Sequence, residues 1–171
     1  MRALRVSGAI LLPLLLMAAA ALAQNAKTDY DHHANFSQYH TYHWEKIQTT
    51  NPQWQSRIQH AVDHALQAKG WQRVQSGGDV AVTAVGSTTD QKIYQMFYNN
   101  LGGWRSSGVG ESTTQVENVP VGSLVLDLYD THDKQLIWRG VSSDTLSGDP
   151  AQNESKLDHA VEHMLENFPP R

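Results

Sequence analysis

Apolar and polar positions alternate in two runs between residues 122 and 140, with a polar turn between them. Leu124, Leu126 and Leu128 alternate with Val125, Asp127 and Tyr129; beyond residues 130–134, Leu136 and Trp138 alternate with Ile137 and Arg139. A period of two belongs to strands, so this stretch predicts a β-hairpin with one apolar face. A longer period occurs twice. After Asn51-Pro52 the apolar positions Ile58, Ala61, Val62, Ala65 and Leu66 trace one face of a helix that Lys69-Gly70 closes. After Asp149-Pro150 the positions Leu157, Ala160, Val161, Met164, Leu165 and Phe168 do the same, up to the stop at Pro169-Pro170.

Shorter signals fill the rest. Residues 40–44 predict a strand, with Tyr42 and Trp44 on one side; residues 71–74 predict a short one; and residues 79–85 another, with Val80 and Val82 opposite Thr83 and Val85. Residues 93–98 and 112–119 read as the arms of a second hairpin whose glycine-rich tip is 99–110. The expected fold is α+β: a mainly antiparallel sheet of about five or six strands, with two helices packed on one face, in the order strand, helix, strands, helix.

The first 23 residues read as an address. Arg2 and Arg5 precede an apolar run from Ala9 to Leu22, and Ala21-Leu22-Ala23 supplies a small-x-small cleavage pattern before Gln24. The apolar run is short for a membrane span, so the reading is a cleaved signal peptide over 1–23, with no stable membrane anchor after cleavage. A polar, flexible lead-in is expected over 24–35, and a single domain over 36–171. Cleavage removes two of the 13 Lys and Arg, leaving 11 against 17 Asp and Glu, a formal charge of −6. A chain this acidic has no basic stripe for phosphates, which argues against nucleic acid. Cysteine is absent, so stability must come from burial, and neither a thiol nucleophile nor a lipid-modified cysteine exists in the sequence.

Candidate chemistry is sparse. His60 and His64 on the first helix and His159 and His163 on the second stand four apart, a spacing used in metal sites. Helical stepping puts all four opposite the apolar stripes, where a solvated face explains them better than zinc, copper or nickel. Asp127, Asp130 and Asp133 gather around the central turn and fit turn formation better than acid/base work. The run 101–110 lacks the Gly-Lys-Ser/Thr ending of a phosphate loop, and no Gly-x-Ser-x-Gly elbow occurs. No cofactor is implied. The aromatic arms carry the better hint: Tyr94, Phe97, Tyr98 and Trp104 on or beside the tip could form a partner surface, with Tyr94, Met96 and Tyr98 alternating against Ile93 and Phe97.

Several stretches together resemble the bacterial domain-of-unknown-function family 4136. They are Phe36-Ser37-Gln38-Tyr39-His40-Thr41-Tyr42-His43-Trp44, then Lys69-Gly70-Trp71, Asp79-Val80, and Gly122-Ser123-Leu124 with Asp127 and Asp130. Leu136-Ile137-Trp138-Arg139-Gly140 and Phe168-Pro169-Pro170 complete the set. The resemblance implies an α+β domain of the bacterial envelope, often lipid-anchored, with no established catalytic residues to carry over. Lacking the cysteine, this chain is expected to be free in the periplasm or secreted. The leading expectation is a non-catalytic periplasmic module that binds another envelope protein through the aromatic hairpin or a sheet edge. The alternative is a metal- or small-ligand-binding protein that uses the helix histidines.

Overall fold

The computed structural model describes residues 25–98 and 112–170, with side chains for 26–92 and 118–170. Strand β1 (Asn25–Tyr30) leads through a 3-10 turn (Phe36–Gln38) to β2 (Thr41–Thr49) and helix α1 (Pro52–Ala68). Then follow β3 (Gln72–Arg73), β4 (Val80–Tyr98), β5 (Ser112–Asp130), β6 (Leu136–Thr145) and helix α2 (Pro150–Met164). The six strands form one sheet in the order β1-β6-β5-β4-β2-β3. Pairing is antiparallel from β1 to β4 and parallel where β2 meets β3 and β4. The expected α+β class is therefore the observed one, with a mixed sheet.

Both helices begin as their sequences dictate. Asn51 accepts a hydrogen bond from the Gln53 amide at 3.0 Å and Asp149 one from Ala151 at 2.9 Å, each ahead of a proline whose missing N–H has no helical partner to lose. The apolar stripes, with Ile58, Val62 and Leu66 on α1 and Val161 and Met164 on α2, press on Val80, Val82, Leu124, Leu126 and Leu128 of the sheet. Each such side chain withdrawn from water contributes about 1.5–3 kcal/mol before chain entropy is set against it. Both helices start at the end of the sheet where β6 finishes, so they run side by side in the same direction. Arg57 pairs with Glu154 at 3.6 Å and the Lys69 ammonium donates to the Glu166 carbonyl at 2.9 Å, tying them near both ends. At the far end an aromatic cluster closes the core, with Phe168 edge-on to Phe36, Trp71 and Trp138 at ring separations of 5.8, 5.0 and 5.6 Å.

Four sequence expectations change. The lead-in over 24–35 supplies β1, which pairs with β6 from Asn25 opposite Ser143 to Tyr30 opposite Trp138. An edge strand is flanked on one side only, so a composition as polar as NAKTDY suffices for it. The two expected hairpins share a strand: 79–85 and 93–98 merge into β4, and 112–119 and 124–130 merge into β5, which pairs with β4 on one side and with β6 of the central hairpin on the other. Leu136 is exposed, and the neighbour it was set against, Ile137, is buried together with Trp138. A bulge accounts for it, because Leu128 faces Trp138 while Tyr129 faces Leu136, leaving Ile137 as the extra residue. The short strand expected over 71–74 narrows to Gln72–Arg73. The segment 1–23 lies outside the described residues, and among those described no helix is long and apolar enough to cross a membrane.

Candidate functional site

The most distinctive element is the outer half of the β4–β5 hairpin. The last β4 residue paired with β2 is Gly86, opposite Thr49, and the last β5 residue in the β6 register is Val121, opposite Thr145. Beyond those points β4 and β5 continue, paired with each other, as far as Tyr98 opposite Ser112. The hairpin thus leaves the sheet as a two-stranded ribbon, and among the described residues both of its long edges lack strand partners. Residues 87–92 on it are all exposed.

The aromatic candidates fall on this ribbon or beyond it. Tyr94, Phe97 and Tyr98 occupy β4 positions opposite Val116, Thr113 and Ser112. Trp104 lies outside the described residues. The histidine candidates are placed as the helical stepping predicts: His60, His64, His159 and His163 are all exposed. The two on α2 each lie near the carboxylate three residues on, His159 3.7 Å from Glu162 and His163 3.3 Å from Glu166. Among the described residues no three or more His, Asp or Glu side chains are grouped to hold a metal.

The three acids of the central turn are separately engaged. Asp127, on the sheet face away from the helices, takes two hydrogen bonds from the Arg139 guanidinium at 2.6 and 2.7 Å. Asp130 accepts from the Tyr39 hydroxyl and the His132 amide, both at 2.7 Å, and Asp133 from the Gln135 amide at 3.0 Å, as turn-forming aspartates do. Desolvation pulls the Asp130 pKa upward, yet the Tyr39 hydroxyl and the amides of the turn outweigh it and hold the carboxyl below its usual range. Burial and the bond to Asp130 push Tyr39 up to about 12.

Sequence reasoning missed a groove at the ribbon's root. It encloses about 80 Å³ between the N-terminal halves of the two helices and the sheet, with Trp54, Ile58, Leu146 and Leu157 among its walls. Its floor is made of small residues, Gly86 and Gly122, beside Ser142, whose hydroxyl is buried without a partner. A Cβ on Gly86 would stand 2.9 Å from the Ile58 Cδ1 and one on Gly122 3.0 Å from the Leu146 Cδ2, so both glycines are needed for these walls to approach the sheet. Glycines inside apolar strands were the available signal.

Comparisons with known proteins bear on the fold. A PDZ domain protein from Parabacteroides distasonis superposes with a TM-score of 0.59 at 14% identity over 85% of this chain; the chain spans only 35% of that protein's length. A PelC dodecamer from Paraburkholderia phytofirmans gives 0.54 at 14% identity, covering 87% of this chain and 99% of that one. At such identities the likeness is one of architecture. No curated protein matches the sequence. The family model for a domain of unknown function, DUF4136, matches residues 26–170, from the first strand to the prolines that follow the second helix, and the chain belongs to that family.

Proposed function

We propose that this protein is an exported, non-catalytic module of the bacterial envelope that binds another envelope protein through the β4–β5 ribbon. The observation that carries this reading is the ribbon itself. A hairpin that leaves its sheet exposes two rows of backbone donors and acceptors that gain nothing from the core, and such edges recruit an added strand. Aromatic residues at Tyr94, Phe97 and Tyr98, with Trp104 in the segment joining the strands, are the residue types enriched at protein interfaces. Export is supported by the signal-like first 23 residues, and the acidic balance of the remainder disfavours nucleic acid. A fold of this kind tolerates assembly, since PelC is described as a dodecamer.

The test is capture from envelope extract with the wild-type chain and a Phe97→Ala, Trp104→Ala variant. The expected result is a specific protein retained by the wild type and lost by the variant at unchanged melting temperature. Equal retention by both would remove the ribbon from the interaction.

A further inference from the structure

We propose that the free edge of β4 recognises a second copy of this chain: two β4 strands add to one another antiparallel about a two-fold axis at Gln91, so that Asp90 of each faces Lys92 of the other. This rests on reading the ribbon as the binding element, and it names the partner at one edge.

Three observations lead there. Past Gly86 the outward edge of β4 has lost β2, and the edge stays free from Ser87 onward among the described residues. Between Ser87 and Tyr98 the only charged residues are Asp90 and Lys92, one on each side of Gln91. Both are exposed and neither forms an ion pair with a described residue. An antiparallel two-fold pair must place some residue opposite its own copy. Centred on Gln91, the register sets Asp90 against Lys92 twice, Thr89 against Ile93, Thr88 against Tyr94 and Ser87 against Gln95. It ends there because Gly86 is already occupied by Thr49. Centring on Asp90 or on Lys92 instead would oppose two like charges directly, which disfavours both neighbouring registers. The free edge of β5 fits less well. Pro120 has no N–H to donate, and the only charge over residues 112–119 is Glu117, which has no opposite charge beside it. Charges on a free edge ordinarily prevent pairing. Here the same two side chains that block a slipped register complement the centred one.

The chain has no cysteine, so Gln91→Cys introduces a single thiol. Opposed residues of an antiparallel pair have Cα atoms about 4.5–5.5 Å apart, within disulfide range. Mild oxidation should link Gln91→Cys into a covalent dimer, while Thr89→Cys, about 13 Å from its own copy in this register, should link far more slowly. In sedimentation velocity Asp90→Lys should weaken the non-covalent dimer by about tenfold or more, and adding Lys92→Asp should restore it. A wild-type chain still monomeric at ~100 µM, equal linking at both positions, or a charge swap that restores nothing would each overturn the proposal. If Phe97→Ala, Trp104→Ala loses an envelope protein while the wild type is monomeric, self-pairing fails and the wider binding role stands. Dimers without any captured envelope protein give the reverse.

Discussion

Asp63 joins three elements of the structure. On the inner side of α1 it accepts from the Tyr42 hydroxyl at 2.8 Å and the Trp44 indole at 2.9 Å, and pairs with Arg73 at 2.8 Å. It thus fastens the helix to β2 and to β3. Asp63→Ala would strand the Tyr42 hydroxyl, whose residue is wholly buried, and the expected loss is about 2–4 kcal/mol, read from urea unfolding. Asp79 works at a crossing of the chain. Its carboxylate accepts from the His40 and Thr41 amides and the Thr41 hydroxyl, and the His40 amide foremost lowers its pKa against partial desolvation. With Asp130 also lowered, both carboxyls bind protons more weakly folded than unfolded. Their contribution is complete above the unfolded value of 3.8 and drains away as pH falls through the folded values. Denaturation curves between pH 5 and 2 should show this slope, and Asp79→Asn should flatten it. Tyr39, raised to about 12, behaves in the opposite sense: its contribution holds below pH 10 and is lost as pH climbs through 12, with tyrosinate absorbance reporting the same transition.

At the level of elements, what the sequence shows plainly is what the core enforces. The helices follow from Asn51-Pro52 and Asp149-Pro150 plus one apolar stripe each, and the central strands from leucines that the helices bury. Where no helix covers the strands, alternation fades. Residues 87–92 are all exposed and offer no apolar periodicity, so the long continuous strands β4 and β5 read as separate shorter ones. The parallel contact of β2 with β4 was invisible for another reason, since it depends on α1 carrying the chain back along the sheet, and no local pattern records that. The bulge at Ile137 shifts the facing by one residue through backbone geometry alone. One position tests the packing at this level: a Cβ on Gly140 would stand 2.5 Å from the Trp138 ring and 3.0 Å from the Met164 sulfur. Gly140→Ala should cost about 1–3 kcal/mol and shift near-ultraviolet dichroism from Trp138, whereas an unchanged melting temperature would mean that the ring has room to move.

For the whole molecule the division is between a core roofed by α1 and α2 and a ribbon that depends on it for nothing but its root. Replacing residues 90–120 by a two-residue Asn-Gly turn, which keeps Thr89 opposite Val121, should leave the melting temperature within about 3 °C of the parent and the far-ultraviolet helix signal intact, while abolishing partner capture. Unfolding of the shortened chain would mean that the ribbon supports the core. The candidate site was legible only in part for the same reason: the aromatic residues of the ribbon could be named from the sequence, whereas its extension past the sheet is a matter of where β2 and β6 stop, at Thr49 and Thr145. The placement of β1 has a practical side. It enters the sheet with Asn25 opposite Ser143, at the end from which the ribbon departs, whereas Phe168 is packed among the aromatic rings at the other end. A fusion partner or surface linkage attached ahead of Asn25 would crowd the ribbon, and one attached after Pro170 would leave it clear, so immobilising the chain by its carboxyl end is the orientation in which its binding should be measured.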